Sequence, residues 1–368
     1  MEIYKISEGL GQIIKAPEHV GIDITSRCNM QCLHCFNRSS DTSPQCIPSE
    51  ELSDLELFKL INEINNLQPP SLCFCGGEPL LRFKLILELL KILNNGITKV
   101  SMVSNGFLLT KNMAAELVSH GLHNLQISID GANAATHEKM RGVKGCYKRA
   151  IAAVKYMSEV GMQKRSVAFS PTSFNIHEFP LVAEQMNELN VNQLRVQPLM
   201  NLGNALTNPD IFPSISQYHT LHSYIIEQRK KYPNMPIEWG DPIDHLIRFS
   251  GVLTYFVPYI TIRSNGSIVL SPYLPITIGN IRKHSIQQYW DEGIQKIWSI
   301  KCFQDIANYI SSTYDFSRQD IPVPLVYHES FVDFDLIDDK LFHLTNQQIN
   351  NLYWERIVSN ESEGVEND

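Results

Sequence analysis

From Val20 onward the chain alternates short apolar and β-branched runs with longer amphipathic runs, the pattern of a parallel α/β sheet. Six strand-and-helix units are expected, with strands at 19–25, 72–75, 99–104, 125–129, 166–170 and 193–197. Helices are expected at 49–67, 82–93, 111–120, 147–160 and 177–189. On the first of them Leu52, Leu55, Phe58, Leu60 and Ile61 fall near one face, which should turn to the core. The segment holding Arg141-Gly142 reads as a loop. Residues 201–256 carry helical stretches broken by Pro and Asn and read as a connector. Two alternating runs then flank Asn265-Gly266, a hairpin signal. Gly279-Asn280-Ile281 and a helix start at 285–290 follow.

Composition limits what such a chain does. With 368 residues and 43% apolar content it has enough material for a core domain of roughly 200–250 residues plus an appended module. The expected division is a lead-in at 1–18, a core at 19–200, the connector, an extension at 257–355 and a tail at 356–368. That tail is acidic and expected to be disordered from Asn360. A net charge of -8 without a dense Lys/Arg stripe argues against a nucleic-acid partner. No run reaches the roughly 18 apolar residues of a membrane span, and residues 1–7 lack a signal-peptide pattern. A soluble, cytoplasmic protein with no membrane association is expected, and eight cysteines suit a reducing compartment.

Three of those cysteines, Cys28, Cys32 and Cys35, fall inside eight residues directly after the first strand. Three thiolates on one tight loop hold three irons of a cubane cluster and leave the fourth without a protein ligand, open to a reactant. The alternative is structural zinc, with His34 or Cys46 as fourth ligand, although such sites usually pair two Cys-x-x-Cys halves. Packing thiols are a poor reading, because a loop gives them little to pack against. Some forty residues on, the second strand runs into Cys75-Gly76-Gly77-Glu78-Pro79.

Cys-x-x-x-Cys-x-x-Cys followed by Gly-Gly-Glu-Pro resembles the radical S-adenosylmethionine (radical SAM) superfamily. The resemblance covers about residues 20–200 and implies an open, partial (β/α)6 barrel. It also implies one [4Fe-4S] cluster whose open iron binds S-adenosylmethionine, an external one-electron reductant such as flavodoxin or ferredoxin, and a 5′-deoxyadenosyl radical that abstracts hydrogen from the substrate. The hairpin, Gly279-Asn280-Ile281 and the Trp290-bearing helix resemble, more weakly, the start of a SPASM or twitch extension. Where that family carries auxiliary-cluster cysteines, this chain reads Ser271-Pro272-Tyr273-Leu274-Pro275, so an extension without metals is expected. Beyond Cys146 only Cys302 remains, and one thiolate does not hold a cluster.

The family pattern implies roles for particular residues. Cys28, Cys32 and Cys35 become the cluster ligands, and His34 a loop-packing side chain. Gly76 and Gly77 let backbone approach a ligand, beside Pro79, and Glu78 accepts from the methionyl ammonium. Ser104 and Asn105 contact the cofactor, Ser128 and Asp130 the ribose hydroxyls, and Arg141 the methionyl carboxylate. The bland readings are turns after strands and, for Arg141, a solvated side chain. Cys73 and Cys75, expected on opposite faces, read first as small buried hydrophobes; the other reading has Cys75 facing the cavity as a hydrogen-atom donor.

The expected substrate is a residue of a ribosomally synthesised precursor peptide, epimerised or cross-linked. Since only about 18 residues precede the first strand, a leader is expected to dock elsewhere or on a separate leader-binding protein, and the hairpin offers an edge for strand addition. A radical SAM enzyme of a small-molecule pathway and a catalytically silent metal-binding docking protein are the other two readings.

Overall fold

The computed structural model describes residues 16–37, 50–244, 246, 259–317 and 332–365, with side chains to 357. Its strands are β1 (His19–Asp23), β2 (Ser71–Cys75), β3 (Lys99–Ser104), β4 (Leu122–Ser128), β5 (Lys164–Phe169), β6 (Gln193–Val196), β7 (Ile237–Trp239), β8 (Tyr259–Ile262), β9 (Ser267–Val269), β10 (Ile276–Asn280) and β11 (Val332–Asp333). The crossovers hold α1 (Asp54–Leu67), α2 (Phe83–Leu93), α3 (Lys111–Ser119), α4 (Ala134–Arg141), α5 (Cys146–Glu159), α6 (Phe179–Glu188) and α7 (Ile215–Lys231). Past the sheet's midpoint lie α8 (Ile286–Asp291), α9 (Lys301–Asn308) and α10 (Asn346–Val365).

β1 to β7 pair in sequence order, all parallel, and β8 adds in parallel to the other side of β1. The sheet stays open between β7 and β8. Strands in its middle bury residues on the helical side, as Val20, Ile22, Leu72, Phe74, Leu125 and Ile127 do. That side meets the apolar faces of the helices in one continuous core.

Several expectations need correction. Leu55 is 81% exposed and Leu57 takes the core position, because α1 starts at Asp54, after the Ser53/Glu56 capping box, rather than at 49. Arg141 does not lie in a loop but ends helix α4, whose N-cap is Asn133 and whose C-cap is the left-handed Gly142. Its sequence, AATHEKMR, carries no apolar stripe to announce it. The connector holds a seventh β/α unit, α7 and the three-residue β7. The hairpin does not offer an edge: β8 is paired by β1 and β9, and β9 by β8 and β10. Among the described strands the sheet ends at β7 and β11. The backbone of the acidic tail is helical through Val365, as part of α10. Among the described residues no helix is long and apolar enough to cross a membrane.

Candidate active site at the carboxyl ends of the parallel strands

The chain leaves β1 into the cysteine loop, β2 into Gly76-Gly77, β3 into Asn105 and β4 into Asp130, so all four segments meet at one rim. The cysteine loop is fixed from three sides. The Glu51 carboxylate accepts from Ser26 N (2.6 Å), Ser26 Oγ (2.5 Å) and Thr25 Oγ1 (3.0 Å). From the C-terminal end of α4, Arg141 O and Met140 O accept from Gln31 N and Leu33 N, both at 3.0 Å. From the connector, Asn204 Nδ2 donates to Cys32 O (2.9 Å) and Asn204 N to Cys35 O (2.9 Å). Sequence reasoning missed Glu51 and Asn204, whose signals lie 16 or more residues away from the loop they hold.

Gly76 and Gly77 are glycines because the chain packs on itself here. A Cβ on Gly76, whose φ is +123°, would lie 2.3 Å from Thr25 O, and one on Gly77 2.1 Å from Arg27 O. Gly77 N and Glu78 N donate to those same two carbonyls, at 2.7 and 2.8 Å. The motif is spliced to the entry of the cysteine loop.

Cys28, Cys32 and Cys35 pack together with Met30, Cys146, Phe107 and Val143. Burial pushes the Cys28 thiol up to about 11 and the Cys32 thiol up to about 12, so ionising them calls for a bound positive charge. Among the described residues the one trio of His, Cys, Asp or Glu ligand atoms lying within 4.8 Å of one another is His284, Asp335 and Asp338, where Lys283 Nζ already sits 3.2 Å from Asp338. Two polar atoms of the same loop, Asn29 Nδ2 and His34 Nδ1, are buried without a hydrogen-bond partner, which points to a polar ligand beside the cysteines. Burial holds His34 down to about 4, so it stays neutral. The donor set fits an iron-sulfur cluster with a polar co-ligand.

Around it the other sequence-expected residues converge. Glu78 is fully buried and braces the ends of β2 and β3, accepting from Leu80 N (3.0 Å), Ser104 Oγ (2.8 Å) and Asn105 N (2.8 Å). Burial raises its pKa against those donors. Pro79 is buried in the single turn after it. Asn105 Nδ2 donates to Asn29 Oδ1 (2.8 Å) and lies 3.8 Å from Cys28 Sγ. Ser128 is buried where β4 ends. Asp130 is committed to protein donors, Ser170 N at 2.9 Å and Arg141 Nε at 2.6 Å. Burial opposes its ionisation, but Arg141 wins and holds its carboxyl below the usual range. Asp130 N donates to His137 Nδ1 at 3.0 Å, which fixes that imidazole as neutral with its proton on Nε2.

The inner wall of the sheet differs from its helical side. Cys73 and Cys75 were expected on opposite faces; they share one, because residues two apart on a strand point the same way. Cys75 Sγ donates to Cys73 Sγ across 3.4 Å. Asp23, the cross-strand neighbour of Cys75, pairs with Arg263 at 3.0 Å. Arg195, on the non-adjacent β6, acts electrostatically on Cys73, a relation only the barrel lumen provides.

The Radical SAM superfamily model matches residues 22–180. Residues 22–180 form a radical SAM domain. The chain is 25% identical over 295 residues to an AdoMet-dependent heme synthase of Methanosarcina barkeri, covering 75% of this chain and 82% of that one. It is 26% identical over 217 residues to the PqqA peptide cyclase of Bradyrhizobium diazoefficiens, covering 58% of this chain and 55% of that relative. The fold matches the crystal structure of Streptococcus suis SuiB bound to precursor peptide SuiA, with a TM-score of 0.62 at 16% identity, over 83% of this chain and 75% of that one. The radical SAM domain thus has relatives that act on peptides and on small molecules.

Proposed function

We propose that this chain holds one [4Fe-4S] cluster on Cys28, Cys32 and Cys35, reductively cleaves S-adenosylmethionine there, and uses the resulting radical to modify a residue of a ribosomally synthesised peptide. The observation that carries the cofactor part is the pair of orphaned buried atoms, Asn29 Nδ2 and His34 Nδ1, on the cysteine loop itself. When bound, the cluster and S-adenosylmethionine supply a carbon radical that removes hydrogen from an unactivated C–H bond. The chain's own residues position and shield. Gly76, Gly77 and Pro79 would hold the cysteine loop against the end of β2, and Glu78, with one carboxylate lone pair left by its three protein donors, would accept from the methionyl ammonium. Ser104, Asn105 and Ser128 present polar groups along the strand ends. Arg141 keeps Nη1 toward Cys32 (3.7 Å) for a carboxylate, and Asp130 acts by holding Arg141. An external one-electron reductant, a flavodoxin or ferredoxin, feeds the reaction, in a cytoplasm where thiols stay reduced.

The peptide substrate is supported by the sequence likeness to the PqqA peptide cyclase and by the fold shared with the peptide-bound SuiB. The longer alignment with the heme synthase favours a second reading, a small-molecule substrate. A separate leader-binding protein belongs to the first reading only. The deciding experiment incubates the reconstituted, reduced protein and S-adenosylmethionine with a candidate precursor peptide and weighs the product. In deuterated water epimerisation adds about one mass unit through exchangeable hydrogen, and a cross-link removes about two. An unchanged peptide alongside abundant 5′-deoxyadenosine overturns the peptide reading.

A further inference from the structure

Cys73 and Cys75 stand on the lumenal face of β2, one residue below the glycine pair. Both are partly accessible, whereas Phe74 between them is buried in the helical core. Their neighbours come from β1 (Asp23), β6 (Arg195) and the stretch before β9 (Arg263), with Tyr273 in electrostatic reach of Cys75. Tyr273 in turn packs edge-on against Phe36, 5.5 Å between ring centres, immediately past Cys35. The two thiols therefore lie under the same mouth as the cysteine loop. A packing role gives no reason for two sulfurs to be aimed at each other in a polar lumen.

We propose that Cys73 and Cys75 act as one lumenal dithiol that returns a hydrogen atom to a carbon radical of the substrate. Cys75 is the donor, and Cys73 is the positioning sulfur that takes up the resulting thiyl. The assignment rests on the radical reading above and deepens it. In the hydrogen bond Cys75 keeps its proton and Cys73 accepts, which lowers the Cys73 thiol and raises that of Cys75. When the Cys75 S–H bond breaks and the substrate C–H bond forms, the odd electron left on Cys75 is shared with the Cys73 sulfur 3.4 Å away. One electron from the external reductant and one proton restore the Cys75 thiol, so the cycle needs no oxidant. Such a donor suits a redox-neutral outcome, epimerisation, over net oxidation.

Two measurements test this. On the folded chain without cluster, dibromobimane, which links two neighbouring thiols, should add a single bridging group to the tryptic peptide 60–82, which holds Cys73 and Cys75 and no other cysteine. Two separate labels or none would refute the lumenal pair. With cluster, S-adenosylmethionine and dithionite in deuterated water, and no substrate added, exchanged S–D should place deuterium in the 5′-deoxyadenosine. The fraction carrying deuterium should fall at least tenfold in Cys75→Ser. In Cys73→Ser the label should appear for about one turnover and then stop. An unchanged fraction in Cys75→Ser overturns the dithiol; no 5′-deoxyadenosine from the wild type overturns the S-adenosylmethionine reading instead.

Discussion

Arg141 Nε donates to Asp130 Oδ2 at 2.6 Å, and both side chains are buried. The same guanidinium points Nη1 at Cys32 Sγ, 3.7 Å away. A helix end, a strand end and the cysteine loop are locked by one side chain. Arg141→Ala leaves the Asp130 charge buried and uncompensated, which costs about 3–5 kcal/mol. Arg141→Met with Asp130→Asn should be more stable than Arg141→Ala alone in thermal melts, yet bind S-adenosylmethionine no better.

Gly76→Ala and Gly77→Ala each push a Cβ against backbone carbonyls that have no room to move. Overpacking of this kind costs about 1–3 kcal/mol or more. The expected result is a melting temperature lower by several degrees together with failure to incorporate iron. Gly96→Ala, with nothing within 4 Å of its new Cβ, is the control: it should keep wild-type iron content despite its positive φ.

Asn204→Ala removes one hydrogen bond to Cys32 O, worth about 1 kcal/mol. The chain should fold normally. Its cluster, once reconstituted, should bleach faster in air than the wild type, measured by the decay of the visible absorbance, and equal decay rates would mean that the connector does not brace the site.

Iron analysis after anaerobic reconstitution should give about four irons per chain, the content of one [4Fe-4S] cluster. Values near eight or twelve would show that the extension binds further clusters. Replacing Cys28, Cys32 and Cys35 together by Ala should abolish both the iron and the cleavage of S-adenosylmethionine.

His137 is held neutral in the fold, down to about 4 from 6.5, by burial and Arg141 against the pull of Asp130. The unfolded chain takes up this proton first as pH falls, so the folded state loses stability between about pH 6.5 and 4 and is unaffected above that window. The shift is worth roughly 3 kcal/mol at most. His137→Gln, which keeps an acceptor for Asp130 N, should flatten this part of the stability–pH curve in urea titrations.

Local pattern determined much by itself. Period-two apolar runs placed β3 at Lys99–Ser104 and found most other strands within a few residues. The spacing of Cys28, Cys32 and Cys35, with Gly76-Gly77-Glu78-Pro79 downstream, marked the candidate site, because a ligand loop and a tight strand exit are written in consecutive residues. Only the tertiary structure decided what crosses long stretches of chain. Glu51 and Asn204 clamp a loop they do not adjoin, and β8 closes against β1 more than two hundred residues earlier. Asp130 turned out to serve Arg141, since a buried carboxylate takes the nearest strong donor and the sequence does not say which one folding brings within 2.6 Å. The pairing of Cys73 with Cys75 lay between, implied by strand alternation, but their shared lumen with Arg195 and Asp23 exists only once the parallel sheet has curved.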